Sequence, residues 1–433
     1  MLIVRNSDAA GSAPSGRELT RRRVLACGVL GVLPVRAADR TVLTVATWPG
    51  LDIGAKAAIP IWRQRHPDVD VVILSREYGD HHTFVTTSLS TSGQLPDVVA
   101  VAADFVGRFA RGNGLEDLTR EPYRIDRLRS RLVPYAYDQA VTRAGAVVAM
   151  PADIGPGTML YRADILARAG VAEEALTQSW SSYLQAGKRI KAATGAYLIT
   201  DAGRIADIVI RTGLKPGEGL YFDQDSRVLV TSDRFARAFE LARQARQQKL
   251  DARVSPWSNE WVEGFKRGTL ATELSGAWLV GALSNWVAPQ TRGLWRATQL
   301  PAGAHVAYGG AFYAMPRLAA PSRKALAWEF IQLLTLDPGA QLQAFKTYDA
   351  FPSLLETHDD PFFEEPLPFL AGQKARLLWR TAARRIGATP VHKQDGFASE
   401  VVGTELDKVL NRGKDIRTAL ADAQRLLERR AQR

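Results

Sequence analysis

The sequence predicts an α/β protein of two lobes, each built on a mainly parallel sheet flanked by helices. Three observations support this prediction: the chain has 433 residues, strand-like and helix-like stretches alternate along it, and the Pro/Gly-rich residues 151–157 interrupt the alternation. A single hydrophobic core rarely grows beyond about 250 to 300 residues, so a chain of this length is expected to divide. Hydrophobic residues make up 46% and charged residues 23%, which is typical of a soluble globular protein.

The first part of the chain alternates strands and helices. We predict these elements, starting with a strand, at residues 41–47, 53–62, 69–74, 83–89, 95–101 and 104–110. The first strand ends at the turn Trp48-Pro49-Gly50, Asp52 can cap the helix that follows, and Pro60 would produce a kink in it. This order is typical of a parallel sheet covered by helices.

Residues 151–157 (PADIGPG) contain two prolines and two glycines, which predicts neither helix nor strand. We expect the chain to cross between the lobes there. A second irregular passage, residues 300–303, precedes a strand at residues 308–315. Further helices are predicted at residues 161–169, 180–192, 234–248, 259–267, 323–334 and 416–430.

The N-terminus has the pattern of an export signal. Three arginines, Arg21 to Arg23, precede an apolar stretch at residues 24–35, which is too short to span a bilayer. We expect cleavage near Ala37 or Ala38, and the paired arginines resemble a twin-arginine signal. Lipid attachment at Cys27 is disfavoured because the apolar residues follow this cysteine, the only one in the chain. The mature protein would then contain no cysteine.

The formal net charge of +11 raises the question of an anionic partner. Residues 1–38 contain six arginines against Asp8 and Glu18, so they contribute four of these eleven charges. The remaining basic residues are interleaved with acidic ones and form no long basic block. We therefore expect no nucleic-acid partner.

Several segments carry a family resemblance. They are LPDVVAVAADFVGRFARGNGLEDLT (residues 95–119), VAMPADIGPGTMLYRADILARAG (148–170), TQSWSSY (177–183) and FKRGTLAT (265–272), the last followed by Gly276-Ala277-Trp278. In this order they resemble the family 1 extracellular solute-binding proteins of ABC importers, which bind maltose and other sugars. The similarity covers nearly the whole mature chain. It departs from the family pattern at residues 177–183, which lack a proline and acidic residues, and at Leu270 and Thr272.

The resemblance implies a two-lobed periplasmic-binding-protein fold of type II whose lobes are joined by a hinge. One lobe would contain residues 39–150 and 305–350, and the other residues 151–304 and 351–433. It also implies a monomer that captures a carbohydrate in the periplasm and delivers it to ABC transporter permease subunits, with no cofactor and no metal.

A receptor for sugars needs flat aromatic rings for the apolar sugar faces and polar groups for the hydroxyls. In an open α/β sheet such groups lie on loops at the carboxyl ends of strands. The candidates chosen by position are Trp48, Tyr78, Asp80, Asp104, Asp153, Trp257, Trp278, Tyr308, Gly309, Gly310 and Phe312. The resemblance points independently to Trp48, Asp104, Asp153, Trp278, Gly310 and Phe351.

These candidates have structural alternatives. Trp48 and Trp278 could be core residues, Asp104 could cap its helix, and Tyr78 and Asp80 could be solvated loop residues. The pair Trp261 and Phe265 has the spacing of a packed helix face. His81 and His82 beside Asp80 lack a third metal ligand in register.

No hydrolase, Walker or dinucleotide motif is present, so we expect no catalysis. Two alternatives remain open at this point. One is a secreted glycan-active enzyme that uses Asp104 and Asp153 as its acid and base. The other is the same fold with a different ligand, such as a polyamine, an iron complex or a phosphorylated polyol.

Overall fold

The computed structural model describes residues 40–431 except residues 92, 94, 112, 113 and 143. The predicted export signal and Cys27 lie outside the described residues. The strands of the described part are β1 (Thr41–Thr47), β2 (Val69–Ser75), β3 (Val98–Ala102), β4 (Met150–Arg162), β5 (Thr272–Gly276), β6 (Trp295–Thr298) and β7 (Ala307–Ala314). Its α-helices are α1 (Leu51–Arg65), α2 (Tyr78–Thr91), α3 (Ala103–Arg111), α4 (Pro134–Gln139), α5 (Ala163–Ala169), α6 (Glu174–Thr177), α7 (Trp180–Thr194), α8 (Gly203–Ile210), α9 (Asp233–Gln247), α10 (Asn259–Arg267), α11 (Leu279–Ala282), α12 (Pro321–Leu336), α13 (Pro338–Tyr348), α14 (Ala375–Arg385), α15 (Asp395–Arg412) and α16 (Ile416–Ala431).

The strands are ordered β2-β1-β3-β7-β4-β5, and β6 also pairs with β4. Strand β1 runs parallel to both β2 and β3, as the sequence predicts. Strand β7 returns antiparallel between β3 and β4. The buried carboxylate of Asp97 fixes the start of β3 beside β1, because it accepts hydrogen bonds from the backbone N–H and the hydroxyl of Thr44, each at 2.8 Å. The predicted α/β class is confirmed.

The prediction that residues 151–157 are irregular is wrong, because they lie within β4. This strand pairs with β7 over its first half and with β5 and β6 over its second half. Register shifts between Pro151 and Asp153 and between Ile154 and Pro156 accommodate the two prolines, which have no N–H to donate to the ladder. One continuous strand therefore links the two groups of strands.

The second group of strands also differs from the prediction of a mainly parallel sheet in each lobe. Strands β5 and β6 both run antiparallel to β4. Among the described residues of this region, parallel pairing is confined to single bridges such as Tyr197–Leu270 and Ile199–Asp251. The apolar pattern of a strand does not encode its direction, which depends on where the intervening helices return the chain.

The hydrophobic core consists of three clusters. One forms around β1, β3, α1 and α12, where the rings of Trp62 and Phe330 lie 5.2 Å apart. A second joins α7, α8 and α9 to α15 and α16. The third contains Trp261, Trp295 and Trp379, contributed by α10, β6 and α14. The boundaries of the two lobes stay a prediction.

Among the described residues, no helix combines the length and the apolar character needed to cross a membrane.

Candidate functional site

Helix α8 places three charged side chains on one face. Its apolar residues Ile205, Ile208 and Val209 are buried, while Arg204, Asp207 and Arg211 follow each other at intervals of three and four and therefore lie on a common side. A buried network fixes the start of this helix. Arg246 donates to Asp201 and Asp251 at 2.8 Å each, and these two carboxylates accept from the backbone N–H groups of Gly203 and Ala202, respectively.

Arg204 connects α8 to β7. Its guanidinium donates to the hydroxyl of Tyr308 and lies 3.6 Å from Glu273 in β5. Glu273 is 1% exposed, and burial raises the pKa of its carboxyl group. The guanidinium groups of Arg204 and Arg211 lie 5.7 and 5.4 Å from the centre of the Tyr308 ring. These contacts hold the aromatic ring and both cations in a defined arrangement.

Three tryptophan rings lie beside this polar group, and we call Trp278, Trp257 and Trp286 the tryptophan platform. The ring centroid of Trp257 lies 5.8 Å from that of Trp278 and 5.7 Å from that of Trp286, with interplanar angles of 21° and 18°. Trp257 is 51% and Trp286 60% exposed, whereas Trp278 is half-buried. The indole Nε1 of Trp278 donates to the carbonyl of Tyr308 at 3.0 Å, which joins the platform to β7.

Trp257 occupies a backbone conformation that disfavours a large side chain. Its φ of +69° lies in the left-handed region, where residues other than glycine are strained. The ring is held on two sides by the platform and contacts Trp261 at 4.9 Å. Strain of this kind clusters at ligand-binding sites. Trp261 itself is 2% exposed and packs against Phe265, so its helix-face interpretation is confirmed.

A second aromatic cluster follows β1. Trp48 is half-buried and makes an edge contact with Tyr78 at 5.5 Å. His82 stacks on Phe105 at 3.9 Å, and Tyr78 lies 4.6 Å from His82. Tyr78 begins α2 and is 43% exposed. Trp48 and Tyr78 thus belong to one local cluster, as their positions after neighbouring parallel strands predict.

Both histidines of this cluster contact backbone. His81 Nε2 lies 2.8 Å from the carbonyl of Ala100, and His82 Nδ1 lies 2.8 Å from that of Tyr78. The backbone N–H of Ala102 donates to His82 Nε2 at 3.2 Å. Burial lowers the pKa of His82 to about 4. In the part of the chain that the structure describes, no group of three or more His, Cys, Asp or Glu side chains is arranged to hold a metal ion.

A large cavity of about 1990 Å³, the main cavity below, opens between α3, the end of α8 and the start of α15. Tyr78, Asp104 and Gly309 line it, together with Arg211 and Asp395. Asp104 lies in the first turn of α3, and its Oδ1 is 3.8 Å from Arg211 Nη2. A smaller cavity of about 410 Å³ is lined by Arg204, Asp207 and residues 253–256, directly before Trp257. A pocket of ligand size thus adjoins the segment that leads into Trp257, while the three platform rings themselves line neither cavity.

Asp395 is a carboxyl group with an unusual environment in the main cavity. Burial raises its pKa to about 7, and the negative charge of Asp104 adds to this effect. The backbone N–H of His392, which donates to Oδ2 at 2.7 Å, and the charge of Arg211 act in the opposite direction. Oδ1 has no hydrogen-bond partner among the described residues.

Asp153 does not line either cavity. It lies in the bulged part of β4, where its carboxylate accepts from the backbone of Ala311 and burial raises its pKa to about 6. Burial raises the pKa values of Tyr313 and Tyr348, and the charge of Asp153 adds to this effect, so Asp153 lies near these rings. Gly310 has a φ of +116°. A Cβ added at Gly310 would lie 3.2 Å from the carbonyl oxygen of Asp153, so the two backbone segments approach closely here. The contact of Asp153 and Gly310 with a ligand stays a prediction.

Three further candidates lie away from the cavities. Phe312 and Phe351 are each 1% exposed and pack in the hydrophobic core, and their contact with a ligand stays a prediction. Asp80 is exposed in the first turn of α2 and lines neither cavity. Its negative charge in the first turn stabilises α2 by interacting with the positive end of the helix dipole.

The structure brings together Trp257, Trp278, Tyr308 and Gly309 in one region and Trp48, Tyr78 and Asp104 in another. Sequence reasoning missed Trp286, Arg204, Arg211 and Asp395. The signal for the two arginines was present in residues 203–211 (GRIADIVIR), where apolar and charged residues alternate at helical spacing.

Known proteins resemble this chain in sequence and in fold. Residues 59–368 match the family described as bacterial extracellular solute-binding protein. The lactose-binding protein of Rhizobium radiobacter is 26% identical over 436 residues, covering 92% of this chain and 97% of the relative. The arabinooligosaccharide-binding protein of Bacillus subtilis (strain 168) is 23% identical over 250 residues, covering 56% of each chain.

Solved structures agree in fold. An extracellular solute-binding protein of family 1 superimposes with a TM-score of 0.78 at 22% identity, covering 90% of this chain and 100% of the other. An ABC-transporter-associated binding protein from B. animalis subsp. lactis Bl-04, in complex with β-1,6-galactobiose, gives a TM-score of 0.75 at 22% identity, covering 90% and 98%.

Proposed function

The chain belongs to the bacterial extracellular solute-binding proteins, and from this premise we propose that it captures a carbohydrate outside the cytoplasm and delivers it to the permease subunits of an ABC importer. Its relatives include proteins named for binding lactose and arabinooligosaccharide. They are binding proteins, which supports a role in binding rather than catalysis.

The observation that carries this proposal is the tryptophan platform beside the charged face of α8. Exposed rings of Trp257 and Trp286 offer flat apolar surfaces to the C–H faces of sugars. Arg204 and Asp207 line the adjacent pocket and can donate to and accept from hydroxyl groups. A site built to hydrogen-bond hydroxyls discriminates strongly against ligands that lack them. This combination of rings and charged groups suits a saccharide.

The alternative of a glycan-active enzyme finds no support at its two named residues. Asp104 is exposed on the main cavity, whereas Asp153 is half-buried in β4 and lines neither cavity. A glycosidase needs two carboxyl groups flanking one bond, at a separation of roughly 5 to 10 Å across a shared surface. These two carboxyl groups share no such surface.

Delivery to a permease requires that the protein signals the bound state by a change of shape. We propose that residues 39–150 with 305–350 and residues 151–304 with 351–433 act as two lobes that close over the ligand. The long strand β4 and the return into β7 join them, and a few residues in such connections suffice to absorb a hinge motion. We further propose a monomer in the periplasm, with residues 1–38 removed by cleavage near Ala37 or Ala38.

The test is a ligand screen on the purified protein. Thermal shift and tryptophan fluorescence are measured against mono- and oligosaccharides, sugar acids, polyols and polyamines, and each responding ligand is recovered and analysed chromatographically. We expect a saccharide to raise the melting temperature, change the emission of Trp257 and Trp286, and be recovered unaltered. Recovery of cleaved products would indicate an enzyme, and a response to polyamines or polyols alone would refute a carbohydrate ligand.

A further inference from the structure

The main cavity has an excess of positive charge. Nine Arg or Lys residues line it, against four Asp or Glu residues, a net charge of +5. The whole chain has a net charge of +11, of which residues 1–38 contribute four, so +7 remains for the rest. Five of these seven excess charges therefore face one cavity.

Most of these cations have no carboxylate partner. Six of them line the cavity with no carboxylate of the described residues within ion-pair distance: Arg108, Lys215, Arg237, Arg385, Lys393 and Arg429. Other cavity cations are already engaged.

Arg234 donates to the carbonyls of Gly219, Leu220 and Ile210, and Arg430 lies 4.0 Å from the centre of the Phe397 ring. The engaged cations have structural roles, whereas the six without a carboxylate partner are available to a ligand.

Cations that converge on a concave surface repel one another and focus a positive potential into it. Arginine carries a planar fork of donors that matches the two oxygens of a carboxylate, so several free arginines in one cavity select for carboxylates or similar anions. A polyamine would be repelled by the same lining. The charge pattern thus favours a ligand with several negative groups.

Resting on the proposed carbohydrate-binding function, we propose that the ligand of this protein is an acidic saccharide, whose carboxylate or sulfate groups are held by the free cations of the main cavity. Gly309 lines that cavity and also lies close to the platform, because a Cβ added at Gly309 would be 2.9 Å from Trp278 Nε1. The two regions therefore meet at Tyr308 and Gly309. Sugar rings stack on the tryptophans while their acidic groups reach the arginines.

The experiment compares matched ligands that differ in charge alone. Oligosaccharides of galacturonate, glucuronate and mannuronate are used as free acids and as their neutral methyl esters, with sulfated and neutral galacto-oligosaccharides as a second pair. Affinity is measured by isothermal titration calorimetry on the full chain at low and at high NaCl. We expect a charged member to bind at least about tenfold more tightly than its neutral partner at low salt, with the difference shrinking as salt screens the charges. The uronate and sulfate pairs identify which anion is preferred.

Two variants localise the effect. Arg108→Gln and Lys393→Gln should each weaken binding of the acidic ligand by about fivefold, the factor expected of one screened ion pair, and leave the neutral ligand unaffected. Arg63→Gln, on the exposed side of α1 outside both cavities, is the matched control and should change neither.

The possible results separate this inference from the proposed function. Equal affinity for charged and neutral partners, independent of salt, would overturn the acidic ligand but keep the carbohydrate function. Binding of no saccharide in any pair would overturn both. A charge preference that survives both cavity variants would show that the anion binds elsewhere.

Discussion

Replacing Trp257 by alanine removes the middle ring of the tryptophan platform. We expect the dissociation constant for the saccharide ligand to rise about tenfold, because the exposed half of this central ring is an apolar surface on which a sugar can stack. Trp257 also has a φ of +69°, which alanine tolerates poorly and glycine tolerates well. Trp257→Gly therefore accompanies Trp257→Ala, so that loss of the ring is separated from backbone strain.

The magnitude follows from the exposure of the ring. A tryptophan buries roughly 150 to 250 Å² when fully covered, and Trp257 is 51% exposed, so about 100 Å² is available. At about 25 cal/mol per Å², complete coverage would contribute ~2.5 kcal/mol. A sugar that stacks on one face covers about half of this area, or ~1.2 kcal/mol, which corresponds to somewhat less than a tenfold change in Kd.

Calorimetric titration of wild type and of both Trp257 variants measures this change. Leu318→Ala serves as a control, since Leu318 is 64% exposed and lines neither cavity. Both Trp257 variants should bind more weakly to a similar degree, and the control should bind as wild type does. Unchanged affinity in Trp257→Gly, with a normal melting transition, would refute the assignment of this ring to the binding site.

Three further predictions concern stability. Burial raises the folded-state pKa of Asp395 to about 7 from an unfolded value of about 3.9, so the folded state loses stability as pH rises between these values. Asp395→Asn should therefore raise the free energy of unfolding by about 1 to 3 kcal/mol at pH 8 and by much less at pH 5. An equal gain at both pH values in urea titrations would contradict this prediction. At Gly107 an added Cβ would lie 2.2 Å from Val391 Cγ1, so Gly107→Ala should lower the free energy of unfolding by about 1 to 3 kcal/mol. At Gly403 in α15 an added Cβ meets nothing within 4 Å, so Gly403→Ala is the control and should leave stability unchanged or slightly raised. Thermal melts of both variants measure the difference. Tyr308→Phe removes the hydroxyl that accepts from Arg204, which should cost about 1 to 3 kcal/mol in urea unfolding; an unchanged midpoint would show that this hydrogen bond does not contribute.

Local signals predicted many elements closely. Helix α10 was predicted at its exact bounds because both ends are marked in the sequence. The side chain of Ser258 accepts from the N–H of Trp261 at 3.2 Å, and Gly268 ends the helix with a φ of +70°. Strand β1 is likewise a β-branched run closed by a turn. Such signals act within a few residues, so a single sequence is sufficient to read them.

The site was harder to predict where strands are involved. Neighbouring residues of a strand point to opposite faces, so a bulge that shifts the register by one residue exchanges the buried and the exposed side chains. Strand β4 has two such shifts around Asp153. Phe312 pairs with Pro151 in this bulged ladder and faces the core. The sequence indicates that the chain is unusual at residues 151–157, but it does not determine which face each side chain presents.

Contacts between distant segments explain the remaining differences. Arg204 and Tyr308 are 104 positions apart yet share a hydrogen bond, and nothing in either local sequence indicates the partner. The same applies to charge. Along the chain the basic residues alternate with acidic ones and form no long basic block, and linear order says nothing about which side chains face the same space. In the folded chain, a net charge of +5 lines one cavity. Basic residues that are dispersed along the sequence can therefore still converge on one cavity, and the spatial pattern is the one that a ligand encounters.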